Sequence, residues 1–226
     1  MKRGFVFPGQ GSQVVGMGRA LAEEFGEARA VFGAVDDALD QKLSQLMWDG
    51  PESELTLTEN AQPALMAVSM AVVAVLAENG VKLSENAAYV AGHSLGEYSA
   101  LTASGALELE DAARLLKLRG QAMQRAVPVG VGAMAALLGL DFEVVVEVAD
   151  EAGQGEEICA AANDNAVGQV VVSGHAAAVA RAIDLAKERG AKRAVELPVS
   201  APFHCSLMQP AADEMRAALA ESKISP

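Results

Sequence analysis

The segment 88–100 constrains this chain most, because its pattern predicts a strand, a sharp turn and a helix in direct succession. A short apolar run at 89–91 indicates the strand, and the sequence Gly-His-Ser-Leu-Gly follows it at 92–96. Glycines on both sides of a serine are typical of a turn that is too sharp for side chains beside it. Such a turn holds the serine hydroxyl at the end of a sheet, next to a helix N-terminus whose N–H groups can stabilise negative charge. Ser94 is therefore a candidate nucleophile.

Strand and helix patterns alternate on both sides of this turn. A buried strand is predicted at 4–7, and a glycine-containing loop follows it at 8–12. Helical periodicity is found at 17–25, 28–48, 60–78, from the turn to about 104, and at 109–127. This alternation predicts an α/β fold with a mostly parallel sheet.

The pattern changes after Pro128. The order there is strand, helix, strand, strand, helix, strand, which is typical of a ferredoxin-like subdomain. The predicted segments are strands at 134–138, 158–162, 169–173 and 193–199, with a turn at 163–165, and helices at 143–151, 176–189 and finally 211–222. We therefore expect a hydrolase-like large domain, 1–128 and 200–226, with a ferredoxin-like small subdomain, 129–199, inserted into it.

The composition favours a globular protein of the cytoplasm. A net charge of −13 argues against general nucleic-acid binding. The longest apolar stretch, 61–77, contains Gln62, Pro63 and Ser69, and so it predicts a buried helix rather than a membrane span. The apolar run near the N-terminus is too short for a signal peptide. Two cysteines provide no disulfide framework, which fits a reducing compartment.

A nucleophilic serine needs a general base, and the chain has three histidines. His93 adjoins the serine, so its side chain is expected to point elsewhere and to contact substrate or support the fold. His175 begins a predicted helix, where a surface or capping role is expected. His204 lies in the loop after the last predicted strand of the subdomain and is the strongest candidate for the base. A purely structural role for His204 is the alternative.

Two other reactive arrangements are weaker candidates. Cys205 lies beside His204, but neighbouring side chains project in different directions, and a small buried thiol is the expected role. His93 and Glu97 could share a helix face, yet two groups do not make a metal site.

Several motifs occur in an order and at separations that resemble one enzyme family. They are Phe-Pro-Gly-Gln-Gly-Ser-Gln at 7–13, Gly-His-Ser-Leu-Gly-Glu-Tyr at 92–98, Arg119-Gly120, and Pro202-Phe203-His204. Ala-Asn-Asp-Asn at 162–165 and Gln-Val-Val-Val-Ser-Gly at 169–174 add to the pattern. Together they closely resemble the malonyl-CoA:acyl carrier protein transacylases of bacterial fatty-acid synthesis, to which the acyltransferase domains of polyketide synthases are related.

The resemblance implies a role for each motif residue. Ser94 would be the nucleophile and His204 the general base, and the backbone N–H groups of Gln10 and Leu95 would form the oxyanion hole. Arg119 would bind the malonyl carboxylate through two parallel hydrogen bonds, which an acetyl group cannot accept.

Three further side chains are candidates for contact with the acyl group. They are His93, Met123 and Phe203. The last two are apolar and could equally belong to the core.

The implied reaction is a ping-pong transfer, in which a malonyl group moves from coenzyme A to the serine and then to the phosphopantetheine thiol of acyl carrier protein. Both thioesters are substrates, so no metal or redox cofactor is expected, and the enzyme is expected to be a monomer. Carrier proteins of this kind are acidic, as this chain is, so docking would need a local basic patch. Two basic stretches, at 114–125 and 181–193, are the candidates.

Two alternatives stay open. A serine hydrolase or thioesterase could use the same turn with water as the acceptor. An inactive truncated form is the other, because members of the family normally continue well past residue 226. By the same resemblance, the additional part would supply a glutamine whose backbone carbonyl orients the catalytic histidine.

Overall fold

Helices and strands alternate along the chain, of which the computed structural model describes residues 3–199 and 201–225. The strands are β1 (Arg3–Phe7), β2 (Ala87–Gly92), β3 (Gly132–Leu138), β4 (Cys159–Ala166), β5 (Gln169–His175) and β6 (Arg193–Glu196). The helices are α1 (Arg19–Glu24), α2 (Gly26–Leu39), α3 (Leu43–Asp49), α4 (Glu52–Leu55), α5 (Thr58–Glu78), α6 (Leu83–Asn86), α7 (Gly96–Ala103), α8 (Leu109–Ala126), α9 (Phe142–Ala152), α10 (Ala176–Glu188) and α11 (Gln209–Glu221). These elements form an α/β fold, as the alternating pattern predicts.

The chain divides into two compact units. The first comprises the described residues of Met1–Gln121 and Met215–Pro226, and the second comprises those of Ala122–Glu214. Each unit has its own hydrophobic core.

In the first unit, a parallel pair of strands leads into the serine turn. Phe7 at the end of β1 pairs with Gly92 at the end of β2, so the two strands end side by side. One face of the pair carries Phe5 and Val90, which pack in a cluster with Ala100 of α7. The segments that follow the two strands therefore start from the same edge of the first unit.

The long helix α5 lies in the core of the first unit. It is long and apolar enough to cross a membrane by length and composition alone, and half of its most apolar stretch is buried inside the protein. The buried residues lie mainly in its N-terminal half, which includes Gln62 and Pro63. The helix packs against α2 and α7. The sequence prediction of a buried helix is thus correct for this half.

The single helix predicted at 28–48 was wrong, because α2 ends at Leu39 and α3 begins at Leu43. Asp40 ends α2 in a left-handed conformation, φ 48°, which aspartate adopts more readily than most residues. The Asp36 carboxylate accepts hydrogen bonds from both the Ser44 N–H at 2.8 Å and the Ser44 hydroxyl at 2.5 Å. These local bonds stabilise the bend between the two helices.

The second unit contains a four-stranded antiparallel sheet in the order β4, β5, β3, β6. Alternate residues of a strand point to opposite faces, and here both faces are covered. One face packs against α9 and α10, in a core that includes Leu137, Val145, Val148, Val172 and Val179. The other face packs in a second cluster that includes Met123, Met134, Val171, Phe203 and Met208.

Two boundaries predicted for the second unit were wrong. Residues 163–165 are not a turn but part of β4, and irregular register accommodates them. The reversal comes at Val167 and Gly168, because Gly168 can adopt φ 72° at no steric cost. The last strand ends at Glu196, just before Pro198, which has no N–H to donate to a neighbouring strand.

Candidate active site

Ser94 lies at the sharp turn after β2 with a left-handed backbone, φ 54°. The flanking glycines are required by close approach of the backbone. A Cβ on Gly92 would lie 1.9 Å from the carbonyl carbon of Gly96, and one on Gly96 would lie 2.4 Å from the Phe7 carbonyl oxygen. Neither position has room for a side chain, so these glycines let α7 start directly against the end of β1.

The backbone N–H groups of Leu95 and Gln10 are the candidate oxyanion donors near the turn. Within the described residues, neither the N–H of Leu95, which immediately precedes α7, nor that of Gln10, in the loop after β1, donates to a backbone carbonyl. The same loop adjoins the turn, because a Cβ on Gly9 would lie 2.4 Å from Nδ1 of His93. His93 itself is exposed and lies against this loop. The arrangement leaves donors for an oxyanion on both segments.

Arg119, from α8, lies next to the serine hydroxyl. Its guanidinium donates one hydrogen bond to Ser94 Oγ at 3.1 Å and another to Gln62 Oε1 at 2.7 Å. Its Cζ atom lies 6.0 Å from the centroid of the Tyr98 ring. Burial lowers the pKa of Arg119, while Tyr98 and Glu97 raise it. An arginine remains protonated near neutral pH, so a half-buried positive charge lies beside the serine.

A buried chain of hydrogen bonds links Arg119 to the loop after β1. Gln62 Nε2 donates to Thr58 Oγ1 at 2.9 Å, and the Thr58 hydroxyl donates to Gln10 Oε1 at 2.9 Å. Gln62 and Thr58 are each only 1% exposed. Neither residue belongs to the motifs that predict the site from the sequence. The available signal was a glutamine inside an apolar helix, since a buried polar side chain needs a partner.

His204 belongs to the second unit and has a left-handed backbone, φ 61°. It is exposed and directly follows the buried Phe203. Phe203 and Met123 lie in the same core cluster of the second unit. The pairing of His204 with Ser94, and contact of Met123 and Phe203 with an acyl group, stay predictions.

His175 has a structural role in the second unit. Its Nδ1 accepts a hydrogen bond from the Ile158 N–H at 2.9 Å, immediately before β4. The residue also stands directly before α10, and its side chain makes no capping bond there. A nitrogen that already accepts a backbone N–H is a poor candidate for a general base.

The two cysteines are free thiols. Cys205 donates to the Pro202 carbonyl oxygen at 3.2 Å. Burial raises the pKa of Cys159 to about 11, so this thiol is protonated and unreactive near neutral pH. In the part of the chain that the structure describes, no group of three or more His, Cys, Asp or Glu side chains could hold a metal ion.

Most cations of the two basic stretches form ion pairs. The pairs are Arg114 with Asp111, Lys117 with Glu59, Arg125 with Glu214, Arg181 with Glu157, Lys187 with Asp184, and Arg189 with both Glu147 and Glu151. Lys192 and Arg193 are exposed and form no ion pair with any residue in 3–199 or 201–225. Arg181, Lys187 and Arg189 each face a carboxylate, so Lys192 and Arg193 carry the positive charge of the second stretch that no nearby carboxylate of the described residues neutralises.

The resemblance to malonyl-CoA:acyl carrier protein transacylases is confirmed over almost the entire chain. The malonyl CoA-acyl carrier protein transacylase of Bacillus subtilis (strain 168) is 49% identical over 218 residues, which are 96% of this chain and 68% of that protein. The corresponding protein of Escherichia coli (strain K12) is 46% identical over 217 residues, 96% of this chain and 69% of its own length. The chain therefore spans about 70% of the length of these relatives.

Solved structures give the same result. The acyl-carrier-protein-S-malonyltransferase from Bartonella henselae has 56% identity and a TM-score of 0.96, covering 100% of this chain and 71% of that one. A malonyl-transacylase solved in complex with a type II polyketide acyl-carrier protein has 45% identity and a TM-score of 0.95, and the match covers 100% of this chain and 72% of that one. A family model described as an acyl transferase domain matches residues 4–226. This chain belongs to the acyl transferase domain family.

Proposed function

We propose that this chain transfers a malonyl group from coenzyme A to acyl carrier protein through a malonyl ester of Ser94. The hydrogen bond of 3.1 Å from Arg119 to Ser94 Oγ carries the proposal, because it joins a carboxylate-binding cation to a nucleophile on a strained turn. The relatives named as malonyl CoA-acyl carrier protein transacylases support the same donor and acceptor.

The proposed first half-reaction acylates the serine. Ser94 Oγ attacks the thioester carbonyl while His204 accepts the hydroxyl proton. The N–H groups of Gln10 and Leu95 stabilise the tetrahedral oxyanion, and the loss of one such donor typically costs ~10²–10³ in rate. The C–S bond then breaks, and His204 returns the proton to the coenzyme A thiolate.

The second half-reaction reverses these steps with a new thiol. The phosphopantetheine thiol gives its proton to His204 and attacks the malonyl ester, and Ser94 leaves as the alcohol with that proton. One ester and two thioesters are exchanged without oxidation or reduction. The proposed reaction therefore requires no redox cofactor, and in this proposal His204 and the two N–H groups supply the proton transfer and the charge stabilisation without a metal.

Arg119 gives the proposed preference for malonyl. In the structure its two terminal nitrogens donate to neutral oxygens, of Gln62 and Ser94. A carboxylate accepts stronger, charge-assisted hydrogen bonds from a guanidinium. An acetyl group offers no such acceptor and leaves the half-buried charge without an anionic partner.

Product analysis with holo acyl carrier protein tests the proposal. We expect malonyl-carrier protein and free coenzyme A in equal amounts. Free malonate as the main product, with carrier protein present, would instead assign a serine hydrolase or thioesterase.

The variant Arg119→Ala tests the preference for malonyl. It should lower kcat/KM for malonyl-CoA by roughly 10²-fold, because charge-assisted hydrogen bonds worth about 3 kcal/mol are lost. It should not lower acylation by acetyl-CoA. Arg114→Ala, from the same helix, is the matched control, because Arg114 pairs with Asp111 on the surface.

We further propose that the two parts of the fold are a hydrolase-like large domain and a ferredoxin-like small subdomain at 129–199. The antiparallel order β4, β5, β3, β6, with two helices packed on one face, supports the second assignment. The parallel pair β1 and β2, followed by a serine turn and α7, supports the first.

Lys192 and Arg193 are the proposed docking site for acyl carrier protein within the second basic stretch. Their charges are available to an acidic partner, whereas Lys187 and Arg189 already face carboxylates. A family member solved with an acyl-carrier protein supports the choice of partner.

Two properties complete the proposal. The enzyme acts in the cytoplasm, where the free thiols of Cys159 and Cys205 fit a reducing environment. It acts as a monomer, which sedimentation equilibrium would check.

A further inference from the structure

Lys117 occupies a half-buried position between three segments of the first unit. Its Nζ atom donates to Gln41 Oε1 at 3.0 Å and to Asn60 Oδ1 at 2.9 Å, and it forms an ion pair with Glu59 Oε2 at 3.2 Å. The Lys117 side chain is 22% exposed. One ammonium thus connects α8 to the first turn of α5 and to the bend between α2 and α3.

The next turn of α8 touches α5 backbone to backbone. A Cβ on Gly120 would lie 2.4 Å from the Glu59 Cα atom and 2.7 Å from the Thr58 carbonyl oxygen. Gln121 adds a hydrogen bond of 3.0 Å to Glu59 Oε2. The two helices therefore leave no room for a side chain at this point, and polar bonds flank the contact.

Arg119 lies within this junction along α8. Its partner Gln62 comes one turn after Thr58 and Glu59 on α5, so the same two turns of α5 receive both Lys117 and Arg119. A shift of α8 along α5 would move the guanidinium relative to Gln62 and Ser94. Misplacement of a binding group by about 1 Å can cost 10²-fold in rate.

We propose that Lys117 is a positioning residue for Arg119. By fastening α8 to the start of α5, it holds the guanidinium at the distance from Ser94 that a malonyl carboxylate requires, and so it contributes to selection of malonyl over acetyl. This inference rests on the proposed function.

The test compares Lys117→Met with Arg114→Met on the same helix. Methionine keeps an unbranched stem but removes the ammonium, whereas Arg114 is exposed and pairs with Asp111. Single-turnover acylation at increasing concentrations of malonyl-CoA and of acetyl-CoA gives the half-saturating concentration, here written KM, and the maximal rate for each donor. We expect Lys117→Met to raise the malonyl-CoA KM roughly tenfold, less than full misplacement would cost, and to leave acetyl-CoA kinetics within about twofold. Arg114→Met should change neither.

A double-mutant cycle separates positioning from general damage. In an Arg119→Ala background, Lys117→Met should leave the malonyl-to-acetyl ratio of kcat/KM unchanged, because the residue it positions is gone. An equal loss with both donors, or the same loss in both backgrounds, would overturn the inference.

Two further results complete the test. If Lys117→Met does not fold, Gln41→Leu replaces it, because this change removes only one of the three Lys117 partners. We expect Gln41→Leu to raise the malonyl-CoA KM by a smaller factor, about threefold by the same reasoning. An unchanged malonyl-to-acetyl ratio of kcat/KM in Gln41→Leu would overturn the inference. Wild-type protein that malonyl-CoA does not acylate would refute the proposed function itself. Wild-type acylation with unaltered selectivity in Lys117→Met would refute only the role of Lys117.

Discussion

Ser94 and His204 share a backbone conformation that residues with a side chain rarely adopt. Their φ angles are 54° and 61°, and Asp40, at 48°, is the only other non-glycine residue with positive φ in the described part of the chain. Asp40 ends a helix, where aspartate is tolerated. Strain of about 1–3 kcal/mol per residue persists only where the surrounding structure enforces it, which is common at functional sites. The conformations therefore support the roles proposed for Ser94 and His204 independently of the motifs.

The strain at Ser94 can be measured by removing its Cβ. Ser94→Gly should be more stable to urea than Ser94→Ala by about 1 kcal/mol, because only glycine adopts positive φ without a steric cost. Both variants lack the hydroxyl, so the loss of the Arg119 hydrogen bond cancels in the comparison. Equal stability of the two variants would mean that the turn stores no strain.

The sequence motifs account for Ser94 and the surrounding glycines because the turn is local, and its geometry follows from residues a few positions apart. They do not account for Gln62 and Thr58. These residues join Arg119 to Gln10 across intervals of 57 and 48 residues. A contact of that kind depends on how α5 and α8 pack, which hydrophobic periodicity does not specify.

At the scale of elements, two glycines allow the site to form by permitting close contacts. Gly96 lets α7 start against the end of β1, and Gly120 lets α8 lie on the backbone of α5. In both cases a methyl group would meet backbone atoms, which cannot move aside as a flexible side chain can.

Gly120→Ala should destabilise the protein by about 1–3 kcal/mol, the usual cost of forcing an extra methyl group into a packed site. Gly33→Ala is the matched control. Gly33 lies inside α2 with nothing within 4 Å of an added Cβ, so this change should stabilise the protein by about 0.5–1 kcal/mol. Urea denaturation of both variants gives the comparison. Two effects of the same sign would contradict the contact between α8 and α5.

Long periodic segments were predicted well, and their interruptions were not. The helices at 58–78, 109–126 and 176–188 follow the apolar pattern closely. The break at 40–42 depends instead on the Asp36 carboxylate, whose bonds to Ser44 compete with helix. The turn expected at 163–165 lies at 167–168, because bulges absorb these polar residues into β4.

For the whole molecule, the charge pattern matters more than the net charge. The chain has a net charge of −13, and most basic residues of the two basic stretches are paired with carboxylates. Long-range attraction to an acidic carrier protein must then come from cations that are not neutralised locally.

Neutralising Lys192 and Arg193 together should weaken transfer to acyl carrier protein roughly tenfold at low ionic strength, since each exposed charge contributes about 0.5–1 kcal/mol. Acylation by malonyl-CoA should stay unchanged. Lys187→Gln is the control, because Lys187 pairs with Asp184. The two half-reactions are measured separately at several salt concentrations. An equal effect of Lys187→Gln, or equal loss in both half-reactions, would reject this docking site.

The intact mass of the protein after incubation with malonyl-CoA tests directly whether Ser94 becomes acylated. We expect one malonyl adduct on the wild-type chain, lost in Ser94→Ala and retained in Ser104→Ala, which alters an exposed serine at the end of α7. An unmodified wild-type protein, or an adduct that persists in Ser94→Ala, would contradict this expectation.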